Sequence, residues 1–320
     1  MPPSFQRIHY GLRPAKNVER KLIIECLRAL QPEFQISDYR YVGLGSIFFT
    51  DFVLVHRLLG IGDMLSIEKE PRDAKRAAFN VPYKCIKVIP GETTEVLPTI
   101  NLTKRPTILW LDYDSNLRGP VLEDLEIVAQ GIEAGSVFAI TMNAVANQLH
   151  EKEFPPLNGT RDRKVVLSEL TGRPLETIMR DATDRNGFPP FLADFLCDRF
   201  DSLVRDASGN ARWFSPLFNF SYSDGAAMVT IGGMVVDALT EERMRTVELP
   251  PFATGRDQLQ VSIPLLTARE KLQLDRMFPC DPWPTAEDVE NEIGLPLNDD
   301  DLRGYWRFYR HYPAFGEIVA

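Results

Sequence analysis

The first 145 residues alternate between amphipathic stretches and short, almost wholly apolar runs. In the amphipathic stretches the apolar residues recur every three or four positions, which predicts helices with one buried face. The apolar runs are typical of strands that are buried on both faces of a sheet. The predicted helices cover residues 17–30, 47–59, 71–80 and 120–133, and the predicted strands cover residues 39–43, 63–70, 83–89, 107–114 and 136–144. This alternation predicts an α/β fold with a doubly wound, mostly parallel sheet.

Three residues indicate where the predicted helices begin and end. Asn17 is of a type that caps helix N-termini, so we expect the first helix to start there. Gly60 is the usual kind of residue after the last helical turn, and Pro71 suits the first turn.

The pattern changes after about residue 150, where a polar stretch is followed by three segments with helical spacing, at 163–171, 174–184 and 189–206. Two apolar runs within residues 211–239 flank Asp224 and Gly225, a pair that favours a β-hairpin, so these runs should be antiparallel. Residues 258–263 suit a further strand. We expect an N-terminal helical segment (1–35), an α/β domain (36–265) with a helical insertion at about 151–210, and a mostly helical C-terminal appendage (266–320).

Composition and charge narrow the class of protein. The chain has 320 residues, a formal net charge of −9 and four cysteines that are far apart in sequence. The absence of a C-x-x-C pair argues against a zinc cluster or a disulfide framework, and we expect a reduced, cytoplasmic setting. No apolar run reaches the ~20 residues of a membrane span, and the first 21 residues lack the apolar core of a secretory signal. The acidic balance favours a small-molecule or protein partner over nucleic acid, although RNA and DNA stay open.

Polar or glycine residues follow four of the predicted parallel strands. Sheets of this kind bind ligands beyond the carboxyl ends of their strands, and glycines let the backbone approach a ligand closely. Glu68 lies 25 residues after Gly43, close to the ~20-residue spacing at which an acid binds ribose hydroxyls. Each feature alone also fits a plain turn or a solvated charge, but their order along one edge predicts a nucleotide-type cofactor. The candidates are Gly43, Gly45, Ser46, Glu68, Lys69, Glu92, Asp112, Tyr113 and Asp114.

On these motifs the chain resembles the class I S-adenosylmethionine-dependent methyltransferases, over about residues 36–145 and the 211–239 hairpin. The matching segments are "YVGLGS", "LSIEKE" with its Glu68, "LWLDYD" and "FNFSYSDGAAMVTIGG". More narrowly, the chain is similar to bacterial O-methyltransferases whose substrates are not assigned. Tyr41 stands where that class usually has an acid before its first glycine, and Ile47 stands where it has its third glycine.

The resemblance implies a Rossmann-like sheet, S-adenosylmethionine as cofactor, and methyl transfer to an oxygen or nitrogen of an unidentified acceptor. It implies that Gly43 and Gly45 approach the methionine end of the cofactor and that Glu68 accepts hydrogen bonds from the ribose. Asp112 or Asp114 would lie nearest the transferred methyl, one of them as a general base, and Tyr113 would stack on or orient the acceptor. The implied catalytic set is Asp112, Tyr113 and Asp114, and the implied cofactor set is Gly43, Gly45, Ser46, Glu68, Lys69, Glu92 and Asp112.

Three alternatives remain open at this point. The chain could be a cofactor-binding sensor that has lost methyl transfer, or an NAD-dependent oxidoreductase, which a parallel sixth strand would favour. A metal-dependent methyltransferase would use Asp112, Asp114 and Asn143 as oxygen ligands. We expect no metal, because the histidines and cysteines show no ligand spacing.

Two further segments have an unusual composition. The basic start of the chain could fold over the cofactor pocket, with Arg13 or Lys16 meeting the cofactor's carboxylate, or it could be an exposed helix start. Residues 303–315 combine aromatic and basic side chains, which suits stacking on single-stranded nucleic acid, but the helical spacing of the aromatics favours a helix that packs on the core. The basic residues of the first segment are Arg7, Arg13, Lys16, Arg20 and Lys21.

Overall fold

The structure is a computed structural model that describes residues 13–148 and 162–313. Arg7 of the basic segment lies outside the described residues. The strands are β1 (Arg40–Gly43), β2 (Asp63–Glu68), β3 (Ile86–Pro90), β4 (Thr107–Asp112), β5 (Val137–Asn143), β6 (Trp213–Ser223), β7 (Ala227–Val236) and β8 (Leu259–Val261). The α-helices are α1 (Pro14–Ala29), α2 (Thr50–Leu59), α3 (Pro71–Phe79), α4 (Thr93–Val96), α5 (Gly119–Gly131), α6 (Arg163–Thr171), α7 (Phe188–Ser208), α8 (Ala238–Met244), α9 (Ala268–Asp275), α10 (Ala286–Ile293) and α11 (Asp299–Phe308).

Within the described residues, the eight strands form one sheet in the order β3-β2-β1-β4-β5-β7-β6-β8. Strands β1 to β5 are parallel, β7 runs antiparallel to β5 and β6, and β8 is parallel to β6. The predicted fold class, a doubly wound sheet closed by an antiparallel hairpin, is therefore confirmed. The strand order reverses between β1 and β4, and open α/β sheets bind ligands at such a switch point.

Both faces of the sheet are covered, which explains why the central strands are mostly apolar. In β1, Val42 joins the hydrophobic cluster under α5 and α7, whereas its neighbour Tyr41 joins the cluster under α1 and α2. Helix α7 lies in the segment predicted as a helical insertion, and it packs directly on the sheet. There the rings of Phe138 and Phe200 stack with their centroids 4.0 Å apart.

Two local predictions are wrong. Helix α1 begins at Pro14, one turn before the predicted cap Asn17, because proline suits the first helical position, where its missing N–H leaves no bond unmade. The segment 174–184 forms two short 3-10 turns, Leu175–Thr177 and Arg180–Thr183, and no α-helix. An α-helix of about eleven residues is stable only when one of its faces is buried by packing. The two turns that form here bury only Ala182.

The predicted helical character of the C-terminal segment agrees with helices α9 to α11, which share their own hydrophobic cluster. Tyr305 and Phe308 are buried, and the Tyr312 hydroxyl donates to the Pro264 carbonyl at 2.9 Å. Tyr305 and Phe308 on α11, and Tyr312 beyond its end, therefore pack against the protein as the helical spacing favoured, whereas Trp306 is 38% exposed. His311 connects this unit to α1, since its Nε2 lies 2.8 Å from Glu25. We propose that residues 266–313 form an appended helical unit.

Among residues 13–148 and 162–313 the structure contains no helix with the length and apolarity needed to cross a bilayer.

Candidate cofactor-binding site

A cavity of about 580 Å³ lies beyond the carboxyl ends of β1, β2 and β4, at the strand-order switch point. Eight of the nine residues predicted from the sequence line it: Gly45, Ser46, Glu68, Lys69, Glu92, Asp112, Tyr113 and Asp114. Gly43 is not on the described lining. The strand-end residues thus converge on one site, while their individual roles stay predictions.

The glycine turn after β1 is held to β2 by hydrogen bonds. The backbone N–H of Gly45 donates to the Ser66 hydroxyl at 3.1 Å, and that hydroxyl donates to Glu68 Oε1 at 3.2 Å. Ser46 has a φ of 50°, a left-handed conformation that costs a non-glycine residue about 1 kcal/mol or more. The backbone N–H of Ser46 also bonds to the Glu68 carboxylate, which helps to hold this conformation. Ser66 was not predicted from the sequence.

Glu68 is the buried acid of the site. It is 9% exposed, and burial raises the pKa of its carboxyl to about 7, although the hydrogen bonds from Ser66 and Ser46 act in the opposite direction. A carboxyl in this state gains from further hydrogen-bond donors, because each additional bond stabilises its charged form. The two hydroxyls of a ribose are donors of this kind.

Tyr41, which stands where the resemblance places an acid, is a packing residue in this chain. Its side chain is buried and meets the ring of Phe52 edge-on, with the centroids 4.8 Å apart. A Cβ atom on Gly43 would lie 2.9 Å from the Tyr41 hydroxyl, so glycine is required at 43 by the protein's own packing. The close contact that the structure shows at Gly43 is with Tyr41, and the predicted role of Gly43 at the cofactor stays a prediction.

Helix α1 brings charged side chains onto the cavity. Lys16 is 2% exposed, and its Nζ lies 3.0 Å from Asp112 Oδ2 and 3.3 Å from Glu19 Oε2. Burial lowers the pKa of Lys16, but the two carboxylates outweigh it, so the net pKa lies above the ordinary value and the ammonium stays charged. Burial raises the pKa of Glu19 to about 7, against the opposing effect of Lys16. The alternative of an exposed basic helix start is wrong at Lys16.

A second buried ion pair joins α1 to α2. The Arg20 guanidinium contacts the carboxylate of Asp51, and both residues line the cavity. Arg20 had been noted only as part of a basic segment, and Glu19 and Asp51 were not predicted. The helical spacing could have predicted that Glu19 and Arg20 are buried, because positions 16, 19 and 20 share a face of α1 with the buried Ile23 and Leu27.

Tyr113 faces the far end of the cavity. Its hydroxyl donates to Asp124 Oδ2 at 2.5 Å, and the Thr93 hydroxyl donates to the same oxygen at 2.5 Å. These bonds connect the end of β4 to α5 and to the first residue of α4. Tyr113 is therefore held by α5, and its predicted contact with a methyl acceptor stays a prediction.

The outer part of the cavity is more open. Asp114 is exposed, and an ion pair between Lys69 Nζ and Glu92 Oε1, 2.8 Å apart, bridges the ends of β2 and β3. Asn143, a ligand in the metal alternative, uses its Oδ1 to accept the Val145 N–H at 2.9 Å. Within the described ranges, no group of three or more His, Cys, Asp or Glu side chains is arranged to hold a metal ion.

The cavity lining is acidic. Eight acidic side chains face five basic ones among the described lining residues. Two of the basic side chains, Lys16 and Arg20, already contact Asp112 and Asp51. The field inside such a cavity attracts a cationic ligand and opposes a diphosphate.

The parallel sheet, its antiparallel closing hairpin and the cavity at the switch point form the Rossmann-like arrangement that the resemblance to class I methyltransferases implies. The chain belongs to the family described as "Putative O-methyltransferase", whose family model matches residues 8–320. The family resemblance predicted from the sequence is therefore confirmed, and the description of the family agrees with the predicted enzyme class. A comparison with curated proteins found no sequence match.

Several solved structures are similar to the chain at low identity. TYW2 of M. jannaschii in complex with AdoMet is 11% identical with a TM-score of 0.39, covering 72% of this chain and 80% of that one. The fibrillarin pre-rRNA processing protein of Methanococcus jannaschii is 14% identical with a TM-score of 0.35, covering 63% and 68%. LepI in complex with SAM is 14% identical with a TM-score of 0.33, covering 62% and 43%, so this chain spans less than half the length of LepI. The ligands named for those structures are properties of those proteins.

Proposed function

We propose that the protein transfers a methyl group from S-adenosylmethionine to an oxygen of an acceptor molecule. The observation that carries the proposal is the acidic cavity at the switch point of the sheet. S-adenosylmethionine has a net positive charge from its sulfonium and ammonium groups, which this lining favours. The family assignment to O-methyltransferases supports oxygen over nitrogen as the acceptor atom.

The residues of the cavity fit the parts of this cofactor. Glu68 is placed to accept hydrogen bonds from ribose hydroxyls, next to the turn of Gly45 and Ser46. Arg13, on the lining at the start of α1, suits the methionine carboxylate. Lys16 is less suited to that role than expected, because two carboxylates already surround its ammonium.

Asp112, the last residue of β4, and Asp114, two residues later, have different proposed roles. When bound, S-adenosylmethionine supplies an electrophilic methyl, so that an acceptor oxygen forms the new O–C bond while the S–C bond breaks and its electron pair stays on sulfur. Asp112, fixed by Lys16, orients the acceptor. Asp114 is exposed on the same lining and accepts the hydroxyl proton, which it can pass to water.

The first test is binding, measured by calorimetry and by the melting temperature. S-adenosylmethionine should bind and raise the melting temperature, NAD should do neither, and Glu68→Ala should weaken binding at least tenfold. The exposed Glu123→Ala on α5 is the matched control and should bind like the wild type. Failure of S-adenosylmethionine to bind at millimolar concentration would remove the proposal.

A sensor that binds the cofactor without transferring its methyl is the second candidate, favoured by the departure at Tyr41. Tight binding without label transfer to any fraction of a lysate incubated with methyl-labelled cofactor would support it. The oxidoreductase alternative is disfavoured, since β7 runs antiparallel where a parallel sixth strand was required. A cytoplasmic setting remains a prediction.

A further inference from the structure

A second cavity, of about 940 Å³, lies beside the first, between the hairpin tip and the segment after β8. Tyr222 and Met228, which pair across β6 and β7, line both cavities. The first turn of α1 also lies between them, with Ala15 on the second cavity and Lys16 on the first. The two cavities are therefore neighbours that share one wall.

The second cavity differs from the first in charge. Among its described lining residues only Arg185 and Asp224 are charged. The Asp224 carboxylate accepts the backbone N–H groups of Ala15 and Lys16 at 3.1 and 2.8 Å, so it is occupied as the cap of α1. Amides and hydroxyls supply the other polar groups of the lining, including Asn147, Asn186, Gln258 and Gln260.

The remaining lining is apolar. Val261, Ile263 and Pro264 form one side, and Leu265 stands beside them with 87% of its surface exposed. A large apolar side chain that is this exposed at the mouth of a cavity suits contact with an apolar ligand. The volume lies within the range of about 300–1,000 Å³ that is usual for small-molecule sites.

We propose that the second cavity binds the methyl acceptor, and that this acceptor is a small organic molecule with an apolar body, hydrogen-bonding edges and no more than one negative charge. This proposal rests on the proposed function, because the first cavity must hold the methyl donor. Nucleic acid is disfavoured, since it requires a basic groove with several aromatic platforms, whereas Arg185 and Tyr222 are the sole basic and aromatic residues on the described lining.

Tyr222, in the shared wall, indicates where the acceptor oxygen would lie. Tyr222 is 5% exposed, and the Lys16 Nζ lies 5.5 Å from the centre of its ring and 3.0 Å from Asp112 Oδ2. Burial raises the pKa of Tyr222, so its hydroxyl stays protonated and can donate. We expect an acceptor in the second cavity to approach the first cavity at Tyr222, because this residue lines both.

The test measures methyl transfer from labelled S-adenosylmethionine to four separate acceptor preparations: a set of phenols and aromatic carboxylic acids, total RNA, plasmid DNA and lysate protein. Gln260→Trp and Ala226→Phe add bulk to the second cavity without touching the first. Gln130→Trp, at an exposed position of α5, is the matched control. Calorimetry with S-adenosylmethionine on every variant shows whether the first cavity is intact.

We expect the wild type to label members of the small-molecule set. Gln260→Trp and Ala226→Phe should each reduce that labelling at least tenfold while the dissociation constant of the cofactor changes less than twofold, and Gln130→Trp should change neither. Arg185→Gln should raise KM for acids more than for neutral phenols, without changing kcat.

Three results would overturn this inference while leaving the proposed methyl transfer intact. These are labelling of RNA, DNA or protein in place of small molecules, equal small-molecule labelling by wild type and both cavity variants, and equal loss of labelling in Gln130→Trp. Failure of the wild type to bind the cofactor, or binding without labelling of any preparation, would instead refute the proposed function.

Discussion

Glu68 makes part of the free energy of unfolding depend on pH, and Glu68→Gln should remove that part while the contribution of Glu19, whose pKa is also about 7, remains. Burial raises the pKa of this carboxyl from 4.5 to about 7 in the folded protein. An acid whose pKa is raised by folding holds its proton more tightly in the folded state than in the unfolded chain. Between the two pKa values the folded state therefore binds more protons, so stability falls as the pH rises and the loss is complete above about pH 7.

The magnitude follows from the size of the pKa shift. A rise from 4.5 to about 7 corresponds to about 3 kcal/mol, at ~1.4 kcal/mol for each pH unit. Glutamine keeps the size of the side chain and an oxygen for Ser66, but it does not titrate. We therefore expect Glu68→Gln to exceed the wild type by about 3 kcal/mol at pH 8 and by about 1 kcal/mol at pH 5.

Urea unfolding followed by tryptophan fluorescence, without ligand, measures this difference at pH 5, 6, 7 and 8. Glu70→Gln is the control, because Glu70 is an exposed neighbour and its removal should leave the wild-type pH dependence in place. Parallel curves for wild type and Glu68→Gln across this range would refute the reasoning. So would a variant that is less stable than the wild type at pH 8.

Lys16→Met should lower the free energy of unfolding by about 3–5 kcal/mol in the same urea experiment, because it leaves the carboxylates of Glu19 and Asp112 buried without their cationic partner. A smaller loss of unfolding free energy in Lys16→Met than in Lys16→Arg would contradict this. Ser66→Ala should cost about 1–3 kcal/mol, because the Gly45 N–H loses its acceptor, and calorimetry should show weaker cofactor binding; unchanged stability and binding would speak against the role of Ser66. Phe200→Ala should cost about 3–5 kcal/mol by opening a cavity beside Phe138; it should leave cofactor affinity unchanged, so a tenfold loss of affinity would count against separate core and site roles.

The parts of the fold that the sequence predicts correctly depend on local patterns. The apolar runs of β1 to β5, and the hairpin at Asp224 and Gly225, can each be recognised from a short stretch of sequence. The pairing rules for parallel sheets then place the carboxyl ends of these strands at one edge. This is why Glu68 and Asp112 could be placed at one cavity without coordinates.

The missed residues depend on contacts between distant segments. Glu19 receives a hydrogen bond from Thr230, which lies 211 residues away, and no local pattern encodes that partner. The position of Glu19 on α1 did indicate burial, because it shares a helix face with the buried Ile23. A buried charged side chain needs a polar or charged partner. Asn17 failed as a cap for a related reason: the acceptor for the first amides of α1 is Asp224, on the hairpin.

The contrast in charge between the two cavities constrains the reaction as a whole. An acidic cavity binds a cationic methyl donor more tightly than its neutral product, which aids product release. The same acids oppose any polyanionic acceptor that must bring its oxygen up to Asp112 and Asp114. A neutral or singly charged acceptor avoids this repulsion, and Tyr222 offers it a hydroxyl at the shared wall. If phosphate-bearing acceptors were methylated faster than neutral phenols, the electrostatic basis of both assignments would be wrong.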